Sequence, residues 1–353
     1  MKEIVKSRLN LGEIGYKELF YELVLQALAL TMGFFTSRAM IFDNLLPFGL
    51  AFAAAVPKNF LAVSALGTFL GYFIPASGLG AFRYLAALFA IVSIKALLYA
   101  VTKYAGIPMI SAIISFAATL LTGAVSTIGE PHKVINCLLE SVFAFGGAYF
   151  IARSFKILAN EKNGLSGQEI TSLLITVTIA LTGAIYFVVG SISVGKIICV
   201  TLILLASRFG EIYAGAVCGI ITGFAVAATG GSLSISAILV FAGLMSGVFA
   251  SKGKYAQVVI FLISSAIASG LNSDFIQSIE FLIEALFGSA IFLLLPKSLA
   301  IKIGKLFSPP TKTPSENSFK KSVTMRLDYA ADALSDVSKT VEEVASELSR
   351  INT

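Results

Sequence analysis

Apolar and polar positions alternate along this chain in blocks rather than residue by residue. Runs of roughly 17 to 22 largely apolar residues are separated by short polar breaks, the length an α-helix needs to cross ~30 Å of hydrocarbon at 1.5 Å per residue. The pattern predicts helical spans at about 20–37, 45–57, 59–77, 84–102, 106–127, 134–152, 169–190, 194–207, 212–229, 233–250, 255–270 and 275–296. Two of the twelve, 45–57 and 194–207, are short and read as tilted, re-entrant or fused to a neighbour, which makes ten the lower count. The expected fold is therefore all-α, a polytopic transmembrane bundle of 10–12 spans. The chain divides into four expected regions: a cytoplasmic segment at 1–19, a membrane domain at 20–296, a basic collar and linker at 297–319, and a cytoplasmic heptad helix at 320–353.

Charge in the breaks sets the expected orientation. With the N-terminus inside, the inner side collects Lys58, Lys103, Arg153, Lys156, Lys162, Arg208, Lys252, Lys254 and everything from Lys297 onward. The outer side keeps Arg38, Arg83, Lys133 and Lys196, together with Asp43, Glu130 and Asp274. Both termini then lie in the cytoplasm, as the positive-inside rule requires. No cleavable signal is expected, because the first nineteen residues mix Lys2, Lys6, Arg8 and Lys17 with Glu3, Glu13 and Glu18 and hold no apolar core.

The last segment changes period. Val323, Leu327, Ala330, Leu334, Val337, Val341, Val344, Leu348 and Ile351 are spaced by alternating steps of four and three, a repeat of 3.5 sustained through four heptads. That period keeps one seam facing a partner and predicts a left-handed coiled coil. Small residues flank the seam, so the helix is expected to pair with a second copy or to dock on an adjacent domain. Asp328, Asp332 and Asp336 fall outside it and read as a solvated face.

Composition narrows the chemistry. The chain is 57% hydrophobic and 13% charged, about half the charge of a soluble domain, with one histidine among 353 residues. There is no CxxC, HExxH or P-loop, and His132 alone supplies no metal or acid–base set. Cys137, Cys199 and Cys218 lie in apolar runs as small hydrophobes. Acidic residues follow the basic collar, which argues against nucleic acid and leaves the lipid bilayer as the expected contact. No catalytic, metal or cofactor residue is expected.

Two residue sets remain. Lys95, Glu140 and Glu284 fall inside spans, where a charge costs ~2.5 kcal/mol or more unless paired or hydrated. They read either as structural bridges, such as a buried pair of Lys95 with a carboxylate, or as the ion path of a small-solute or ion transporter. Gly67 with Gly71, Gly243 with Gly247, and Gly215, Gly219 and Gly223 put small residues on helix faces, where backbones pack closely within the chain or between copies. A faint echo also appears, since Ser37-Arg38 precedes Gly49 by the interval that separates Ser207-Arg208 from Gly219.

The stretch "SRAMIFDNLLPFGLAF" interrupts the apolar chain with Arg38, Asp43 and Asn44 and restarts it at Pro47-Phe48-Gly49. Pro47 suits a first helical turn, where its missing N–H costs nothing. This stretch, the glycine-rich spans, the exit "LLLPKSLAIKI" and the segment "RLDYAADALSDVSKTVEEVASELSRI" together resemble the membrane region and first linker helices of the stage II sporulation protein E family. The resemblance implies septal anchoring and contact with a tubulin-like division protein. It also implies self-association that controls a manganese-dependent PP2C-type serine phosphatase acting on an anti-anti-sigma factor. No counterpart of that phosphatase or its metal-binding aspartates is found in these residues, so none of its catalytic residues carries over. The heptad helix is expected to continue toward the enzyme in a longer parent chain.

Overall fold

The computed structural model of the chain describes residues 16–41, 45–74, 80–127, 133–159, 167–230, 232–272 and 274–295, together with Thr324. The chain divides into two units, Met1–Ser308 and Pro309–Thr353, and every described residue except Thr324 belongs to the first. Apart from Thr324, the heptad segment, its seam from Val323 to Ile351 included, lies outside the described residues, as do Asp43, Asn44, Glu130 and His132.

Eleven α-helices are described: α1 (Tyr16–Ser37), α2 (Pro47–Ala55), α3 (Leu61–Phe73), α4 (Gly80–Val101), α5 (Pro108–Ser126), α6 (Val134–Ala159), α7 (Gly167–Ile185), α8 (Val194–Ala228), α9 (Leu233–Val248), α10 (Lys254–Gly270) and α11 (Phe275–Leu294). Seven of them, α1, α4, α5, α6, α7, α8 and α11, are long and apolar enough to cross a membrane. The twelve predicted runs correspond to twelve helical segments, because α8 has two arms. At Glu211 the backbone leaves the helix (φ 52, ψ −141), and the arms 194–210 and 212–228 fold back on each other. A Cβ placed on Gly215 would stand 2.6 Å from Ser207 Oγ, whereas residues eight apart on a straight helix are separated by ~12 Å. The short predicted run at 45–57 is α2, nine residues or ~14 Å long, too short to cross alone.

Strand structure among the described residues is confined to one hairpin. β1 (Val188–Val189) pairs antiparallel with β2 (Ile192–Ser193) ahead of α8, and Gly190 supplies the positive φ of 69° that so tight a turn needs. An isolated antiparallel bridge between Ile41 and Leu45 does the same work ahead of α2. Predicted span 169–190 therefore ends earlier, at Ile185, since the chain must reverse before Val194.

Two hydrophobic cores fill the unit. One gathers Leu50, Phe52, Tyr72, Leu88, Ile91, Ile151 and Ile179 around α2; the other gathers Leu181, Val200, Ile203, Leu239, Phe261 and Phe281 around the first arm of α8. The boundary falls on α7, between Ile179 and Leu181. Lipid removes most of the hydrophobic drive for helices to associate, so close packing must hold them. The glycines supply it. A Cβ on Gly215 would meet the Gly243 carbonyl oxygen at 2.6 Å, one on Gly223 the Ser236 oxygen at 2.7 Å, and one on Gly247 the Ile212 Cα at 2.7 Å. The second arm of α8 thus lies antiparallel to α9, backbone against backbone. Gly219 faces Leu239 and Val240 in the same seam, while Gly67 and Gly71 of α3 face Leu30, Phe34 and Ser37 of α1. Every glycine singled out in the sequence meets its own chain.

Candidate functional site

Leu46, at the cap position of α2, has no side-chain oxygen, and Pro47 at the first helical position removes one N–H that would otherwise need an acceptor in an apolar setting. Other helices supply the acceptors. Glu140 of α6, almost fully buried, accepts the Leu46 N–H at Oε1 (3.1 Å). The same oxygen takes the Tyr84 hydroxyl at 2.5 Å, and Oε2 takes Arg83 at 2.7 Å. Tyr72 of α3 accepts the Leu50 N–H at 3.1 Å and donates to the Leu46 carbonyl at 2.8 Å. Its ring stacks on Tyr84 at 5.0 Å, and Arg83 lies over the other ring with Cζ 4.5 Å from its centre. A carboxylate at a helix start meets the positive end of the helix dipole, and the guanidinium balances its charge. Phe48 packs on Gly147, Gly49 meets Ser37 and Tyr72, and Arg38 lies 5.6 Å over the Phe34 ring.

A second carboxylate repeats this arrangement in the other core. Glu284 of α11, fully buried, accepts the Ser193 N–H at 2.7 Å and is paired with Lys196 Nζ at 3.3 Å. Ser193 precedes α8 as Leu46 precedes α2. Its own hydroxyl ties the hairpin to α7 by donating to the Ile185 carbonyl at 2.8 Å.

At the opposite helix ends the chemistry is inverted, with cations and an amide donating to main-chain carbonyls. Lys95 donates to the Ala105 oxygen at 2.8 Å and to Ser111 Oγ at 3.0 Å, with Tyr99 at 4.9 Å. Arg208 donates to Ala250, Lys254 to the Leu293 oxygen at 2.8 Å, and Gln257 to the Leu204 oxygen at 2.6 Å. The expected pairing of Lys95 with a carboxylate is not what the structure holds. Lys95 sits near the C-terminal end of α4, and the turn at Lys103–Gly106 brings a carbonyl within its reach. Lys95, Glu140 and Glu284 are thus three separate sites that share no partner.

Arg83, Lys196, Tyr72, Tyr84 and Ser193 are the participants that the sequence did not nominate. Arg83 and Lys196 read as loop charges because a polar break ends a predicted span, yet α4 begins three residues before Arg83. A tyrosine beside a lone arginine at the edge of an apolar run, with a single carboxylate inside another run at Glu140, is the available signal. Among the described residues no group of three or more His, Cys, Asp or Glu lies together.

Buried charges that hold helix ends, glycine seams that hold helix faces, and seven membrane-length apolar helices define a polytopic helical membrane bundle. The chain belongs to the family described as SpoIIE, N-terminal domain, whose profile matches residues 3–304. No curated protein and no solved structure matches it.

Proposed function

We propose that this chain anchors and assembles a sporulation phosphatase at the division septum and contributes no catalysis itself. Membership of the SpoIIE N-terminal family over residues 3–304 is the observation that carries the reading. In it both termini are cytoplasmic, the heptad segment from Val323 to Ile351 joins copies, and a tubulin-like division protein is the septal contact. The phosphatase that would release the forespore sigma factor lies outside these residues. Charge supports the orientation: Arg83 and Lys196 are balanced by Glu140 and Glu284 at one set of helix ends. Lys95 and Arg208 donate to neutral carbonyls at the other set and leave it net positive, the character of a cytoplasmic side.

Transport through Lys95, Glu140 and Glu284 takes second place, because the three have no common partner. The deciding experiment fuses a fluorescent protein after Thr353 and images it in sporulating cells. Enrichment at the polar septum supports anchoring there, and uniform membrane fluorescence sinks it.

A further inference from the structure

The two carboxylate sites occupy corresponding places in two halves of the bundle. Each half starts with a long helix, α1 or α7, reverses through an antiparallel pairing, Ile41 with Leu45 or β1 with β2, and enters a buried second segment, α2 or the first arm of α8. Four further segments complete each half: α3 to α6 in the first, and the second arm of α8 with α9, α10 and α11 in the second. In both, the sixth segment sends a buried glutamate to the backbone N–H just before the second. Glu140 meets Leu46 across 94 positions and Glu284 meets Ser193 across 91. Each half has its own hydrophobic core, and the two cores meet within α7, which opens the second half but gives Ile179 to the first core and Leu181 to the second.

We propose that the membrane bundle is a tandem repeat of one six-segment unit, and that Glu140 and Glu284 are the separate latches that close the first and second unit. The latch works by joining the last segment of a unit to the start of its central one, so the segments between are enclosed. The halves differ in the balancing cation, which comes from the fourth segment as Arg83 and from the second as Lys196. The invariant part is the carboxylate and the main-chain N–H, and a main-chain donor places no demand on residue type. The Ser37-Arg38 echo therefore pairs the wrong positions: the backbone aligns Leu46 with Ser193, and Ser207-Arg208 belongs to the turn at Glu211.

Buried thiols report each unit. Cys137 lies one turn before Glu140 on α6, and Cys199 lies one turn after Lys196 on α8; both are buried. In the full chain in detergent, two single-thiol forms are prepared, retaining Cys137 or Cys199, with the other cysteines changed to alanine. The rate of reaction with a small methanethiosulfonate reagent is then measured. Glu140→Gln is expected to speed Cys137 by ~10-fold or more while Cys199 stays within about twofold, and Glu284→Gln is expected to do the reverse. Glu140→Asp and Glu284→Asp, which keep the charge but shorten the reach, should give the same crossed pattern with smaller factors. Acceleration of both thiols by either variant would show one cooperative bundle and overturn the proposal, and so would acceleration of neither.

Discussion

Ser193 donates its backbone N–H to Glu284 Oε1 at 2.7 Å, so a residue beside a hairpin turn is tied to the middle of a helix 91 positions later. Breaking a buried ion pair from one side typically costs ~3–5 kcal/mol, because the remaining charge is stranded. Lys196 keeps 18% exposure and regains some water, so Glu284→Ala is expected to cost nearer ~2–3 kcal/mol. Thermal unfolding in detergent, followed by circular dichroism, measures the drop in Tm. A Lys196→Ala, Glu284→Ala double variant should lose less than the sum of the two single losses.

Gly215 and Gly243 have no room for a side chain. Gly215→Val or Gly243→Val should destabilise by about 1–3 kcal/mol, the usual penalty for overpacking, and lower Tm in detergent. Gly270, whose Cβ would meet nothing within 4 Å, is the control, and Gly270→Ala should change Tm little. Equal losses at Gly243 and Gly270 would deny the close seam.

Lys95 donates to a carbonyl and a hydroxyl, which a shape-matched apolar residue leaves unpaired while removing a buried charge. The two effects oppose each other, so Lys95→Met should shift stability by no more than about 1–2 kcal/mol in either direction. Purified chain in proteoliposomes should show no ion flux before or after the change. Flux that disappears with Lys95→Met would instead favour the transport reading.

Leu334 and Val341 belong to the predicted heptad seam. Replacing both by Asp puts charge into an apolar interface and should lower the oligomer mass of detergent-solubilised chain, read by light scattering. An unchanged mass would remove the heptad segment from the assembly.

Gly190 and Gly253, each with positive φ (69° and 120°), sit in the turns ahead of α8 and α10, on opposite sides of the membrane in the proposed orientation. Alkaline phosphatase inserted at Gly190 should be active and at Gly253 inactive, with a green fluorescent protein showing the opposite pattern. The same activity at both sites would contradict the proposed orientation.

The helices are legible because polar residues separate the apolar runs, so twelve runs correspond to twelve helical segments, including the short α2. The carboxylate sites were only half legible. Glu140 and Glu284 stand out by type, but each also accepts a main-chain N–H, from Leu46 and Ser193, and a main-chain donor leaves no mark in a sequence. Arg83 and Lys196 were visible as charges but were assigned to loops, since composition cannot distinguish a cation in a break from one in a first helical turn. GxxxG spacing identified the close faces of α8 and α9 without showing that each was the other's partner.

The backbone contact between the second arm of α8 and α9 has a thermodynamic consequence. Glycine has no rotamers to lose, so bringing Gly215 and Gly243 together gains dispersion contact without the side-chain ordering cost that a leucine or methionine would add. That part of the bundle is held by many weak attractions at little entropic cost, and its stability is set by how closely the two helices can approach.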